Sequence, residues 1–226
     1  MREEAKVARW ALVYSELKRQ IQNLELVPGA RLSESSIAAQ FGVSASPVRD
    51  ALGRLSQEGL LTVRRGQGYT VASLTIGGIT ETCDLRYVLE TGAAELAMER
   101  ARPEDVEALR PLAAATGEPG VAGVDLIRRN AEFHTAVAGL TGNGRIVESV
   151  KRVMEDSVRV FHLGLPTFED HGMQADHDAL LDAIAAKNVD AMREIVHREA
   201  YEASRHILES LVRNPGTKAS QLIASL

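Results

Sequence analysis

The sequence predicts a mainly α-helical protein of two domains: a small N-terminal unit made of a helix pair and one β-hairpin, then a larger all-α unit built as an antiparallel helical bundle. Three observations carry this. Sharply punctuated helix signals and a switch to alternating apolar residues fall together before residue 72. From Thr80 onward nearly every stretch has helical periodicity. A chain of 226 residues with 45% hydrophobic content is long enough for two compact cores and too apolar for a disordered one.

The clearest helix lies within FGVSASPVRDALGRLSQEGLL, Phe41 to Leu61. Ser46 suits the cap of its first free amides, Pro47 its first position, and Asp50 the positive end of its dipole. Val48, Leu52 and Leu55 then fall on one apolar face, and Arg49, Gly53 and Arg54 lie elsewhere on the surface. Upstream, Ser33 caps a shorter helix carrying Ile37, Ala38 and Phe41, which Gly42 stops. After Gly59 the segments LLTV, RRGQG and YTV read as a hairpin with two arginines and two glycines at its tip.

Helix, turn, helix and basic-tipped hairpin in this order resemble a winged helix-turn-helix. There the second helix enters the DNA major groove and the hairpin lies along the backbone or minor groove. The small residues that open the second helix then have a purpose: backbone amides approach phosphate while Ser44, Ser46 and Arg49 reach outward. Charge is distributed accordingly. Residues 1–72 hold ten basic against seven acidic residues, a net of +3, whereas the remainder holds sixteen against twenty-four, a net of −8.

The segment SLTIGG, residues 73–78, reads as a linker. Helices are expected over 79–102, 103–115, 124–140, 144–163, 167–187 and 189–213, with ATGEPGVAG, residues 115–123, as the main internal loop. The domains are therefore 1–72, DNA-binding, and 79–213, all-helical, with 214–226 as a flexible tail. Cys83 stands alone, which excludes an intramolecular disulfide and fits a reducing compartment. No apolar run is long enough to span a bilayer, and Met1 to Trp10 is too charged for a secretory signal, so no membrane partner and a cytoplasmic location are expected.

The stretch LELVPGARLSESSIAAQFGVSASPVRDALGRLSQEGLLTVRRGQGYTV resembles the GntR family of bacterial transcription regulators over the whole N-terminal domain. That resemblance implies DNA contacts from Arg31, Ser44, Ser46, Arg49 and the wing pair Arg65 and Gly66; Arg64, the other arginine of the hairpin tip, is expected to join them as a phosphate contact. Ala45 stands where the family commonly has arginine. Three further stretches, DLRYVLETGAAELAMER, NAEFHTAVAGLTGN and DHDALLDAIAAKNVDAMREIVHREA, are similar to the helical ligand domain of the FadR subgroup, called FCD. Many such domains hold a divalent metal through an Asp and three His, and a small carboxylate effector often completes the site.

Asn130 and His134 lie four apart on an apolar stripe with Ile127, Val137 and Ala138, and His177 lies on another with Met173, Leu180, Leu181 and Ile184. Inward histidines of this kind are either hydrogen-bonded core residues or metal ligands. Against the family pattern, Asn130 replaces the Asp and Glu199 takes the third His position. Helical geometry puts Glu199 near the buried face with Met192 and Val196, while His197 points to solvent. Asn130, His134, His177 and Glu199 form a two-nitrogen, two-oxygen set that accepts zinc, first, or manganese or nickel. The alternative for Glu199 is a buried salt bridge to Arg86 or Arg152. Arg86, whose family counterpart borders the effector cavity, either clamps a carboxylate or forms a surface ion pair with Glu90 at i+4.

The sequence thus predicts a homodimeric transcription regulator, by default a repressor. It would bind a near-palindromic double-stranded operator and respond to a small carboxylate. Its rivals are a metal-dependent enzyme acting on a small carboxylate, and a metal-free regulator whose helical domain only dimerises.

Overall fold

The computed structural model describes residues 2–64, 68–121, 123–164, 173–213 and 223–224. It separates into two compact units, one of residues 1–75 with 221–226 and the other of residues 76–220.

The first unit opens with α1 (Arg2–Gln22), a largely charged and polar helix. Val13, Leu17 and Ile21, four apart and at most 1% exposed, hold it against α3 (Ala45–Gln57). Each such side chain contributes roughly 1.5–3 kcal/mol when fully buried, which outweighs the weak intrinsic stability of a polar helix. Glu58, just after α3, ties the two together: it accepts from the Tyr14 hydroxyl at 2.8 Å and pairs with Lys18 at 3.3 Å and Arg54 at 2.8 Å.

Between them α2 (Glu34–Phe41) starts at Ser33, whose hydroxyl accepts from the Ser36 amide, and ends at Gly42 with φ of 61°, a left-handed conformation natural to glycine. The start of α3 corrects the expected cap. Ser44, extended, occupies the cap position without a side-chain cap bond, and Ser46 already lies in the first turn. Pro47 is tolerated there because the first amides of a helix have no partner within it. The expected face of α3 is buried, with Val48, Leu52 and Leu55 at 0% exposure.

A three-stranded antiparallel sheet completes this unit in the order β1 (Arg31–Leu32), β3 (Gly68–Val71), β2 (Leu61–Arg64). Thr62 faces Thr70 and Val63 faces Tyr69 in the hairpin, with Leu61 and Val71 buried. Two residues of the expected linker form β4 (Leu74–Thr75), which pairs in parallel with β5 (Ile223–Ala224) from the segment expected to hang free.

The second unit is all-helical. It comprises α4 (Ile76–Arg100), α5 (Pro103–Glu107), α6 (Arg110–Ala115), α7 (Gly123–Gly139), α8 (Gly144–Gly164), α9 (Met173–Ala185) and α10 (Val189–Arg213). The single helix expected over 103–115 is broken at Ala108–Leu109. Pro111 is the cause: it has no amide to bond the Glu107 carbonyl, and its ring clashes with a continuous helix. Helix α4 packs on α7, α8 and α10, and α9 packs on α10. Phe133, Leu180, Leu181, Met192 and Val196 fill the centre, where Ala94 and Ala97 let helices approach closely.

Candidate functional site

In the helical unit, α4, α7, α9 and α10 each direct polar side chains into the apolar centre. On α4 the buried residues Ile79, Cys83, Arg86, Glu90, Ala93 and Ala97 recur at steps of four and three, so a charged pair sits on a core stripe. Arg86 and Glu90 are 2% and 5% exposed and are joined by a 2.8 Å bond from Arg86 Nε to Glu90 Oε1. The Arg86 guanidinium also lies 5.4 Å from the centre of the Phe161 ring. The ion pair weighed for Arg86 therefore exists, but in the core and not at the surface.

Glu90 passes this charge inward. Its Oε2 lies 2.8 Å from Nδ1 of His134, while Nε2 of His134 faces Glu199 at 3.9 Å. Burial pulls His134 towards the neutral form, but the Glu90 and Glu199 charges prevail and raise its pKa. Glu90 is held at about 2: burial opposes its charge, and Arg86 and His134 overcome that.

His177 is fixed differently. Thr116, buried after α6, donates its hydroxyl to the Ala113 carbonyl at 2.7 Å, so it accepts from His177 Nδ1 at 3.2 Å. Nε2 of His177 then carries a lone pair. It lies 3.1 Å from Asn130 Oδ1 and 3.4 Å from Glu199 Oε1. An amide turned by a half-rotation would present NH2 to that lone pair; as placed, two acceptors face one point. The Phe133 ring stacks on His177 at 3.9 Å and fixes its plane. Burial and the neighbouring His134 push the His177 pKa well down.

Asn130, His134, His177 and Glu199 thus converge, as the sequence predicts, and the ligand atoms of His134, His177 and Glu199 lie within 4.8 Å of one another. Among the described residues, Nε2 of His134, Oε2 of Glu90 and both oxygens of Glu199 are buried without a hydrogen-bond partner. Orphaned polar groups in a core are costly. Burial accordingly raises the Glu199 carboxyl to about 7, against the pull of His134. Two imidazoles, a carboxylate and an amide oxygen suit a divalent cation: ligands about 2.0–2.2 Å from one ion lie roughly 3–4 Å apart, as the 3.1, 3.4 and 3.9 Å separations here do, and the wider ones, up to 4.8 Å, would have to draw in around an ion. A small cavity beside His134 and Glu90, walled by Ala93, Val137, Val150 and Val196, adjoins the cluster. His197 is exposed and packs on Tyr87 and Tyr201, outside the cluster.

Two residues here have roles that the motifs do not assign. Glu90 enters the sequence reading only as a surface partner of Arg86, although the four-three stripe of α4 carries the signal that it faces inward. Thr116 carries no such signal, because it follows an alanine run in a loop and gains its role only when α9 packs beside it.

In the first unit, Arg31, Ser44, Ser46 and Arg49 are all exposed, the last three on the leading end of α3. Arg49 does not stand free: its guanidinium bonds Glu34 at 2.9 Å. Arg65 and Gly66 lie outside the described residues, as does the side chain of Arg64.

Comparison with known proteins agrees with both units. Residues 11–71 match the description "Bacterial regulatory proteins, gntR family", and residues 81–210 match "FCD domain". The HTH-type transcriptional regulator YdhC of Bacillus subtilis (strain 168) is 28% identical over 205 residues, covering 87% of this chain and 91% of its own. The Nta operon transcriptional regulator of Aminobacter aminovorans is 33% identical over 129 residues, 57% of this chain and 61% of its own. Among solved structures, E. coli McbR/YncC superposes with a TM-score of 0.69 at 26% identity, covering 91% of this chain and 97% of that one. A putative GntR regulator from Rhodococcus sp. RHA1 does so with the same score and identity, covering 90% and 99%. The chain, a winged helix-turn-helix joined to an FCD domain, belongs to the GntR family of bacterial transcriptional regulators.

Proposed function

We propose that this regulator is a homodimeric repressor whose grip on a near-palindromic operator is released by a small carboxylate bound at a divalent metal in the helical domain. The observation that carries the effector half is the set of buried ligand atoms without a hydrogen-bond partner among the described residues, Nε2 of His134 and both oxygens of Glu199, beside the lone pair of His177. His134 and His177 would hold the ion through Nε2, Glu199 through its carboxylate and Asn130 through its amide oxygen. The bound ion would supply a Lewis-acid centre for an effector carboxylate. Glu90 and Thr116 orient the two imidazoles from behind, as partners of metal-bound histidines commonly do.

For the DNA half, the exposed leading end of α3 supports groove entry. Unsatisfied helix amides there suit phosphate, and Arg49 suits a base edge. One such helix reads only a few base pairs, so two copies related by a dyad would double the site. Effector binding releases DNA only if it favours one disposition of the paired DNA-binding domains over another. Action in the cytoplasm, where operators are, belongs to the same reading.

The test is metal content per protomer by mass spectrometry on untagged protein purified without chelator, beside a His134→Ala, His177→Ala double variant. About one ion per chain, lost in the variant, is expected. No metal after incubation with zinc, manganese and nickel would overturn the metal-centred reading.

A further inference from the structure

Glu34 is the first residue of α2, and its carboxylate sits on the exposed face where α2 and α3 present their leading ends. A negative charge on a surface that meets phosphate is costly, unless it does something there. Both of its oxygens engage Arg49: Oε2 lies 2.9 Å from Nη2 and 3.2 Å from Nε, and Oε1 lies 3.4 Å from Nε. The contact is side-on, using the Nε edge of the guanidinium. Nη1 has no bond among the described residues, and the Arg49 side chain is 64% exposed.

A guanidinium has five donors in a rigid fork, so an acceptor on the Nε edge leaves the Nη1 and Nη2 edge with two parallel N–H groups. That is the edge that matches O6 and N7 of guanine. We propose that Glu34 is a specificity-determining positioning residue, holding Arg49 by one edge so that the other reads a guanine. The inference rests on the reading of α3 as the helix that enters the major groove. Pre-orienting a long, flexible side chain removes an ordering cost on binding, and masking part of its charge weakens its attraction to phosphate. Both effects favour the correct sequence over the rest.

The full-length chain is used to enrich a duplex from a randomised pool, and affinity is measured for that duplex and a shuffled one. Glu34→Gln is expected to weaken the selected duplex about tenfold while binding the shuffled duplex as well or better, so that discrimination falls. On an Arg49→Ala background, Glu34→Gln should change the ratio no further. An unchanged ratio, or an equal drop on both backgrounds, would overturn the proposal, and a melting curve shows whether each variant is folded. If no duplex is enriched, the major-groove reading itself fails, a distinct result.

Discussion

Nδ1 of His134 lies 2.8 Å from the Glu90 carboxylate, and its Nε2 faces the point where His177 and Glu199 converge. The contact fixes which ring nitrogen faces the site: Nδ1 stays against the carboxylate, and Nε2 is the atom that, on giving up its proton, would take a cation. A carboxylate so placed both aims an imidazole and strengthens it as a ligand. His177 receives the same service from the neutral hydroxyl of Thr116.

Thr116→Val keeps the shape of the side chain and removes the acceptor for His177 Nδ1. A buried donor without a partner costs about 1–3 kcal/mol, and loss of such an orienting bond lowers metal affinity about 10–100-fold. Chelator competition on the purified variant should show the weaker binding, and denaturant unfolding the smaller stability.

Arg86→Ala strips the buried Glu90 of its main counter-charge. Removing one member of a buried pair costs about 3–5 kcal/mol, so the variant should unfold at a distinctly lower urea concentration. Loss limited to carboxylate binding, with stability unchanged, would instead make Arg86 the effector clamp.

Metal loading should rise with pH. The Glu199 carboxyl, at about 7 in the fold, lies above the usual carboxylate value near 4.3. The metal-free protein therefore draws stability from that proton, fully present below about pH 4.3 and lost as pH rises through about 7. A cation takes the proton's place, so the melting-temperature gain on adding metal should grow between about pH 6 and about pH 8. Glu199→Gln should flatten that dependence, and differential scanning fluorimetry across the range reads both.

Arg49→Ala should weaken operator binding by roughly 1–3 kcal/mol and flatten the preference at one base pair. Equal loss on operator and random DNA would mark a phosphate contact. Replacing Arg64 and Arg65 together with alanine should lower the salt slope of binding by about one to two units, read from affinities at several salt concentrations.

What the sequence determined by itself is local and periodic. Ser33 and Gly42 bound α2 because a hydroxyl cap and a left-handed glycine are properties of single residues. The spacing of Val48, Leu52 and Leu55 chose the buried face of α3, and the same arithmetic put His134, His177 and Glu199 on inward faces. The helix α1 was less legible, since three buried residues carry it within a polar segment and their value depends on α3 being there. Tertiary structure alone decided which inward groups meet. Glu90 on α4 faces His134 on α7, and Thr116 meets His177 across sixty-one positions. Likewise Glu34 and Arg49 lie fifteen residues apart on different helices. Spacing fixes the direction of a side chain on its own helix, but its partner is set by how the helices pack, and packing is a property of the whole core.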